Sequence, residues 1–112
     1  MYSGTILNNV LTTPTGATIV TATDGHGPSH AVIRPQSISI HRNLDRTSSP
    51  RNVWPGVITH IDNLGDRSRV SISGPLPQTV EVTSTSVATL GLAPGEDIWT
   101  SVKATDIETY PA

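Results

Sequence analysis

Apolar residues in this chain mostly alternate with polar ones, in short runs that glycine and proline interrupt roughly every eight to twelve residues. A period of two sends successive side chains to opposite faces of the backbone, so each run predicts a half-buried β-strand. In the first third the runs are Thr5–Val10, Ala17–Ala22, Ala31–Ile33 and Ser37–His41. In the last of these Ile38 and Ile40 alternate with Ser37, Ser39 and His41. Asp24-Gly25 predicts a turn because both residues tolerate positive φ, and His26-Gly27-Pro28-Ser29 continues it as a loop.

The second half is patterned more clearly. Val53–Asp62 predicts a long strand, Asn63-Leu64-Gly65-Asp66 a hairpin turn, and Arg69–Ser73 the return, with Val70 and Ile72 inward. Gly74-Pro75-Leu76-Pro77 breaks the chain, and Gln78–Thr83 alternates again through Val80 and Val82. The period then lengthens: Val87, Leu90 and Leu92 lie in Ser84–Leu92, which predicts one short helix of about two turns. A hydroxyl residue at its start can cap it, and Gly91 sits where a helix C′ residue belongs. Ala93-Pro94-Gly95 is a turn, followed by strands at Asp97–Ala104 and Asp106–Tyr110. The fold class is therefore all-β. Strands with one short helix before the penultimate one predict a small OB-like barrel for residues 52–112. Residues 1–41 supply about four strands, an N-terminal arm or a partial second lobe. Between them Arg42 to Arg51 is polar apart from Leu44 and reads as a linker.

Composition narrows the function. The apolar share is thin at 35%, has no Phe, and is dominated by Val and Ile, which suits pleated surfaces. Lys and Arg number only seven against nine acidic residues, a poor match to a nucleic acid, and aromatic residues for base stacking are scarce. No apolar run approaches the roughly 20 residues of a membrane-spanning helix, and Met1-Tyr2-Ser3-Gly4 does not open a signal peptide. The absence of cysteine excludes disulfides, thiolate metal ligands and a thiol nucleophile.

Nothing in the chain reads as catalytic. No serine has the setting of a nucleophile elbow, and the carboxylates show no paired spacing. His26 and His30 are separated by Gly27 and Pro28, which forbid a shared helical face, so no metal site is expected. Trp54 and Trp99 are expected in the core or an interface, and His41 and His60 on strands.

Two stretches carry a family resemblance. Ser49-Pro50-Arg51-Asn52, Leu90-Gly91-Leu92-Ala93-Pro94-Gly95 and Val102-Lys103-Ala104-Thr105, in this order and spacing, resemble a Mop domain, the molybdate-binding β-barrel module of the TOBE group. Asn9-Val10-Leu11 and Ala31-Val32-Ile33-Arg34-Pro35-Gln36-Ser37-Ile38 resemble the segment before it in the ATP-binding subunits of molybdate-type ABC importers. The resemblance divides the chain into a TOBE-like β segment (1–41), a linker (42–48) and a Mop-like barrel (49–112). The Gly-x-x-x-x-Gly-Lys-Ser/Thr of an ATPase is missing, so a C-terminal regulatory piece of a longer subunit is implied, with no catalysis of its own.

The resemblance implies an oxyanion site for molybdate or tungstate, with Ser49, Arg51, Asn52, Lys103, Ala104 and Thr105 as its residues and no other cofactor. It implies a homodimer or higher oligomer through the barrel, in which donors face each other across the subunit interface. It also implies contact with ABC transporter membrane subunits through the parent ATPase, and a cytoplasmic location at the inner face of the cell membrane. Where the family often has a non-proline residue, this chain has Pro50, which has no N–H to offer a ligand. The residues keep structural alternatives: Lys103, the only lysine, lies in an alternating run where a solvent-facing lysine is common, Arg51 and Asn52 can simply open a strand, and Ser49 and Thr105 can serve turns. The competing expectation is a structural dimerisation module without a ligand.

Overall fold

The N-terminal sheet begins with a tight reversal that the alternation alone did not reveal. In the computed structural model, which describes residues 1–43 and 52–112, β1 (Tyr2–Leu7) turns at Asn8-Asn9 into β2 (Val10–Thr12). Both asparagines have positive φ, 51° and 66°, as a two-residue hairpin turn of matching twist requires. Thr5–Val10 is thus not one strand. β3 (Thr18–Val20) pairs with β2, and β4 (Gly27–Ile33) pairs with β1. The stretch His26–Ser29, expected as loop, already belongs largely to β4: Gly27 takes φ of 92°, and Pro28 sits near the strand start, where its missing N–H is tolerated. Gly4 is required in β1, because a methyl there would fall on the backbone carbonyl of Thr12.

A 3₁₀ turn at Pro35–Ser37 leads to β5 (Ser39–His41). Then come β6 (Asn52–Leu64), β7 (Arg67–Ser73) and β8 (Gln78–Thr83), the helix α1 (Ser84–Leu90), β9 (Asp97–Val102), a second 3₁₀ turn at Ala104–Asp106, and β10 (Ile107–Pro111). The strands form two five-stranded antiparallel sheets, ordered β10-β4-β1-β2-β3 and β5-β9-β6-β7-β8. Each sheet takes one strand from across the segment 42–48. β5 leaves the N-terminal region to pair with β9, and β10 leaves the C-terminal region to pair with β4. Residues 44–48 of the expected linker lie outside the described residues.

The second sheet curls into an OB-like half-barrel with α1 between β8 and β9. Its interior is built by alternation: Trp54, Ile58, Val70, Ile72, Val80, Ile98 and Val102 are buried and join Ile6, Leu11 and Ile19 of the first sheet in one cluster. Val82 packs at its margin, half-buried. The helix ends where its caps dictate. The Thr83 hydroxyl accepts from the N–H of Ser86 at 3.1 Å, and Gly91 takes the left-handed conformation while the N–H of Leu92 returns to the Val87 carbonyl at 3.0 Å. Thr83→Ala removes that cap and is expected to cost about 1 kcal/mol, read as a fall of roughly 4 °C in the melting midpoint.

Candidate functional site

Asn52, the one described residue of the first stretch singled out in the sequence, lies at the end of the half-barrel from which the second stretch leaves. β6 starts at Asn52 and β9 ends at Val102, and these two residues are register partners. The start of β6 and the end of β9 therefore lie side by side. Ser49 and Arg51 lie outside the described residues.

After Val102 the backbone stays extended at Lys103 and tightens into the 3₁₀ turn, closed by the N–H of Asp106 donating to the Lys103 carbonyl at 2.9 Å. The N–H groups of Ala104 and Thr105 precede that bond and have no partner within the turn. Lys103 and Thr105 are exposed, and Ala104 is half-buried. No carboxylate among the described residues lies within ion-pairing distance of Lys103; the arginine pairs Arg34–Glu108, Arg42–Glu96 and Arg67–Glu81 are elsewhere. Glu108, on the strand that follows, is held below the usual carboxylate range by the hydrogen bond from Tyr110 and then by the charge of Arg34.

Asn52 is placed at this end but its side chain is occupied. Its Oδ1 accepts from the N–H of Val20 at 2.7 Å, and its Nδ2 donates to the Val20 carbonyl at 2.9 Å. Two residues along the same face of β6, Trp54 Nε1 donates to the Thr18 carbonyl at 3.0 Å. β3 is an edge strand of the first sheet. Asn52 and Trp54 thus satisfy the outward groups of that edge and tie the two sheets together, which is how the structure handles an open β edge. His41, not singled out as a site residue, also reaches this end: its Nε2 lies 2.7 Å from the Oγ of buried Ser101. Only the pairing of β5 with β9 brings it there, and no local pattern signals that. Among the described residues no group of three His, Cys, Asp or Glu side chains is placed to hold a metal ion.

A half-open antiparallel barrel, tied to the first sheet by Asn52 and Trp54 and followed at the end of β9 by the exposed Lys103, defines a small β-module. The TOBE domain family matches residues 48–108, more than half of the chain, and the chain belongs to that family. Its fold is similar to that of the cytoplasmic molybdate-binding protein ModG, solved with molybdate bound: the TM-score is 0.82 at 20% identity, covering 99% of this chain and 94% of that one. No curated protein sequence matches the chain. No helix among the described residues is long and apolar enough to cross a membrane.

Proposed function

We propose that this TOBE domain binds a tetrahedral oxyanion, molybdate or tungstate, at the end of the half-barrel where β6 begins and β9 ends. The observation that supports the reading is the register of Asn52 with Val102, which sets the start of β6 beside the strand end that leads into Lys103, in a fold shared with a molybdate-binding protein. A tetrahedral dianion is held without covalent chemistry by donors aimed at its oxygens. Lys103 supplies a cation, Thr105 a hydroxyl, and the turn the N–H groups of Ala104 and Thr105, which have no partner among the described residues; Ser49 and Arg51 are the donors assigned to the stretch before β6. Asn52 acts as the brace that sets the end of β6 rather than as a ligand through its amide.

Each charge-assisted bond contributes roughly 1.5–3 kcal/mol, and a micromolar site needs about 8 kcal/mol, so three or four bonds less the binding entropy suffice. On one copy Lys103 and Thr105 face solvent, where water competes. A homodimer or higher oligomer through the barrel would dry the site and add donors. In the wider setting we assign the domain to the ATP-binding subunit of an ABC importer, at the cytoplasmic face of the membrane. There anion binding biases the transporter between two states through their different affinities for the anion.

The occupied amide of Asn52 favours a second reading, a ligand-free dimerisation module of such a subunit. A thermal-shift titration with molybdate, tungstate and sulfate at matched ionic strength separates the two. A ligand at a hundredfold excess over its Kd stabilises the folded state by about 2.7 kcal/mol, hence a rise of roughly 10 °C. The oxyanion reading expects that rise with molybdate and tungstate but not sulfate. No rise with any anion leaves the dimerisation module.

A further inference from the structure

We propose a second ligand site, unrelated to the oxyanion, in the cleft between the first sheet and the outer side of β7 and β8, built for an uncharged polyhydroxylated molecule of the sugar class. The cleft has a volume of about 560 Å³, within the roughly 300–1,000 Å³ typical of small-molecule sites. Tyr2 spans it, its phenol donating to the Pro77 carbonyl at 2.5 Å, and Ile33 and Ile38 form an apolar wall.

Hydroxyl side chains also line the cleft. β6 carries a bulge between Ile58 and His60, which leaves Thr59 outside the regular pairing. A bulge re-aims the side chain it carries, and Thr59 lines the cleft with its hydroxyl on the Ser71 carbonyl at 3.2 Å. Ser71 and Thr79 are register partners on neighbouring strands and line the same cleft. Among the described residues neither of their hydroxyls has a side-chain or backbone hydrogen-bond partner, so both are free to bond a guest.

The chemistry of the walls selects the guest. No charged side chain lines the cleft, and its one charge-bearing lining residue is Met1 through the terminal amine, so a charged ligand would find no side-chain counter-charge there. A wholly apolar ligand would bury the hydroxyls unpaired. A sugar satisfies both sides: its hydroxyls donate and accept, as serine and threonine do, and its C–H face packs on the aliphatic wall and the Tyr2 ring. Along β6 the cleft touches Thr59, seven residues beyond Asn52 and so roughly 20 Å from the oxyanion end.

The test is a titration of the isotope-labelled full chain with glucose, galactose, ribose and sucrose, followed by backbone amide shifts, with Ser71→Ala/Thr79→Val as the comparison. Both substitutions are outside the core and nearly conserve volume, and circular dichroism confirms that the variant folds. At least one sugar is expected to give saturable shifts at Thr59, Ser71 and Thr79, weakened roughly tenfold in the variant by the loss of two hydrogen bonds. Absence of saturable shifts from all four sugars, saturation elsewhere in the chain, or equal affinity in the variant overturns the proposal.

Discussion

Lys103→Ala is expected to weaken molybdate binding by on the order of ten- to a hundredfold, with the fold intact. Lys103 is the only lysine of the chain, it is exposed, and no carboxylate among the described residues is close enough to pair with it. Removing it therefore leaves no buried partner unsatisfied, and its absence is felt by the ligand rather than by the fold. The magnitude follows from one charge-assisted hydrogen bond, roughly 1.5–3 kcal/mol, at about 1.4 kcal/mol for each tenfold. Calorimetric titration of the variant beside the parent, with melting curves of both, checks it. An unchanged affinity removes Lys103 from the site; a melting point lowered by many degrees assigns it a structural role instead.

Asn52→Leu has the opposite signature, a large loss of stability. The substituted side chain is close in volume but offers nothing to the N–H and carbonyl of Val20, which Asn52 now pairs at 2.7 and 2.9 Å. Asn52 is only 3% exposed, so water cannot readily replace it. Leaving a donor and an acceptor unpaired costs about 1–3 kcal/mol each when buried; the Val20 groups are part-buried, and we expect a total near 3 kcal/mol. In a domain of this size that lowers the melting midpoint by about 12 °C. Chemical denaturation of the parent and variant measures it directly. A loss below about 0.5 kcal/mol, the usual scale of an innocuous surface change, would show that the brace between the sheets is not what holds β3 in place.

These predictions separate what was legible in the sequence from what was not. The all-β, OB-like class with one short helix was readable because local rules agree there. Gln78–Thr83 alternates without interruption and forms β8 over those same residues. The change of period after Thr83 and the glycine at 91 bound α1, since a hydroxyl cap and a left-handed glycine act within one turn of chain. The Asn8-Asn9 reversal was missed because β-branched and apolar residues continue on both sides of it. Its signal was the asparagine pair itself, which tolerates positive φ.

Long-range features left no local trace. The exchange of β5 and β10 between the sheets depends on pairings across most of the chain, and nothing within either strand announces its partner. The same holds for Asn52. The resemblance made it a ligand residue facing the Lys103 stretch across a subunit interface; within one chain it lies beside Val102, and its amide is engaged by Val20, a residue 32 positions earlier. A polar residue at a strand start looks the same in sequence whether it meets a ligand or an open sheet edge. Trp54 was expected in the core or an interface and is in the core, where the bond from its indole N–H to Thr18 serves the same edge as Asn52.

The most direct measurement is calorimetric titration of the unmodified chain with molybdate, at protein concentrations where its oligomeric state has been established by light scattering. Saturable heat with a Kd in the micromolar range, competed by tungstate and not by sulfate, is the result an oxyanion-binding domain requires. No saturable heat from a folded sample in any oligomeric state would contradict it and leave a structural module in its place.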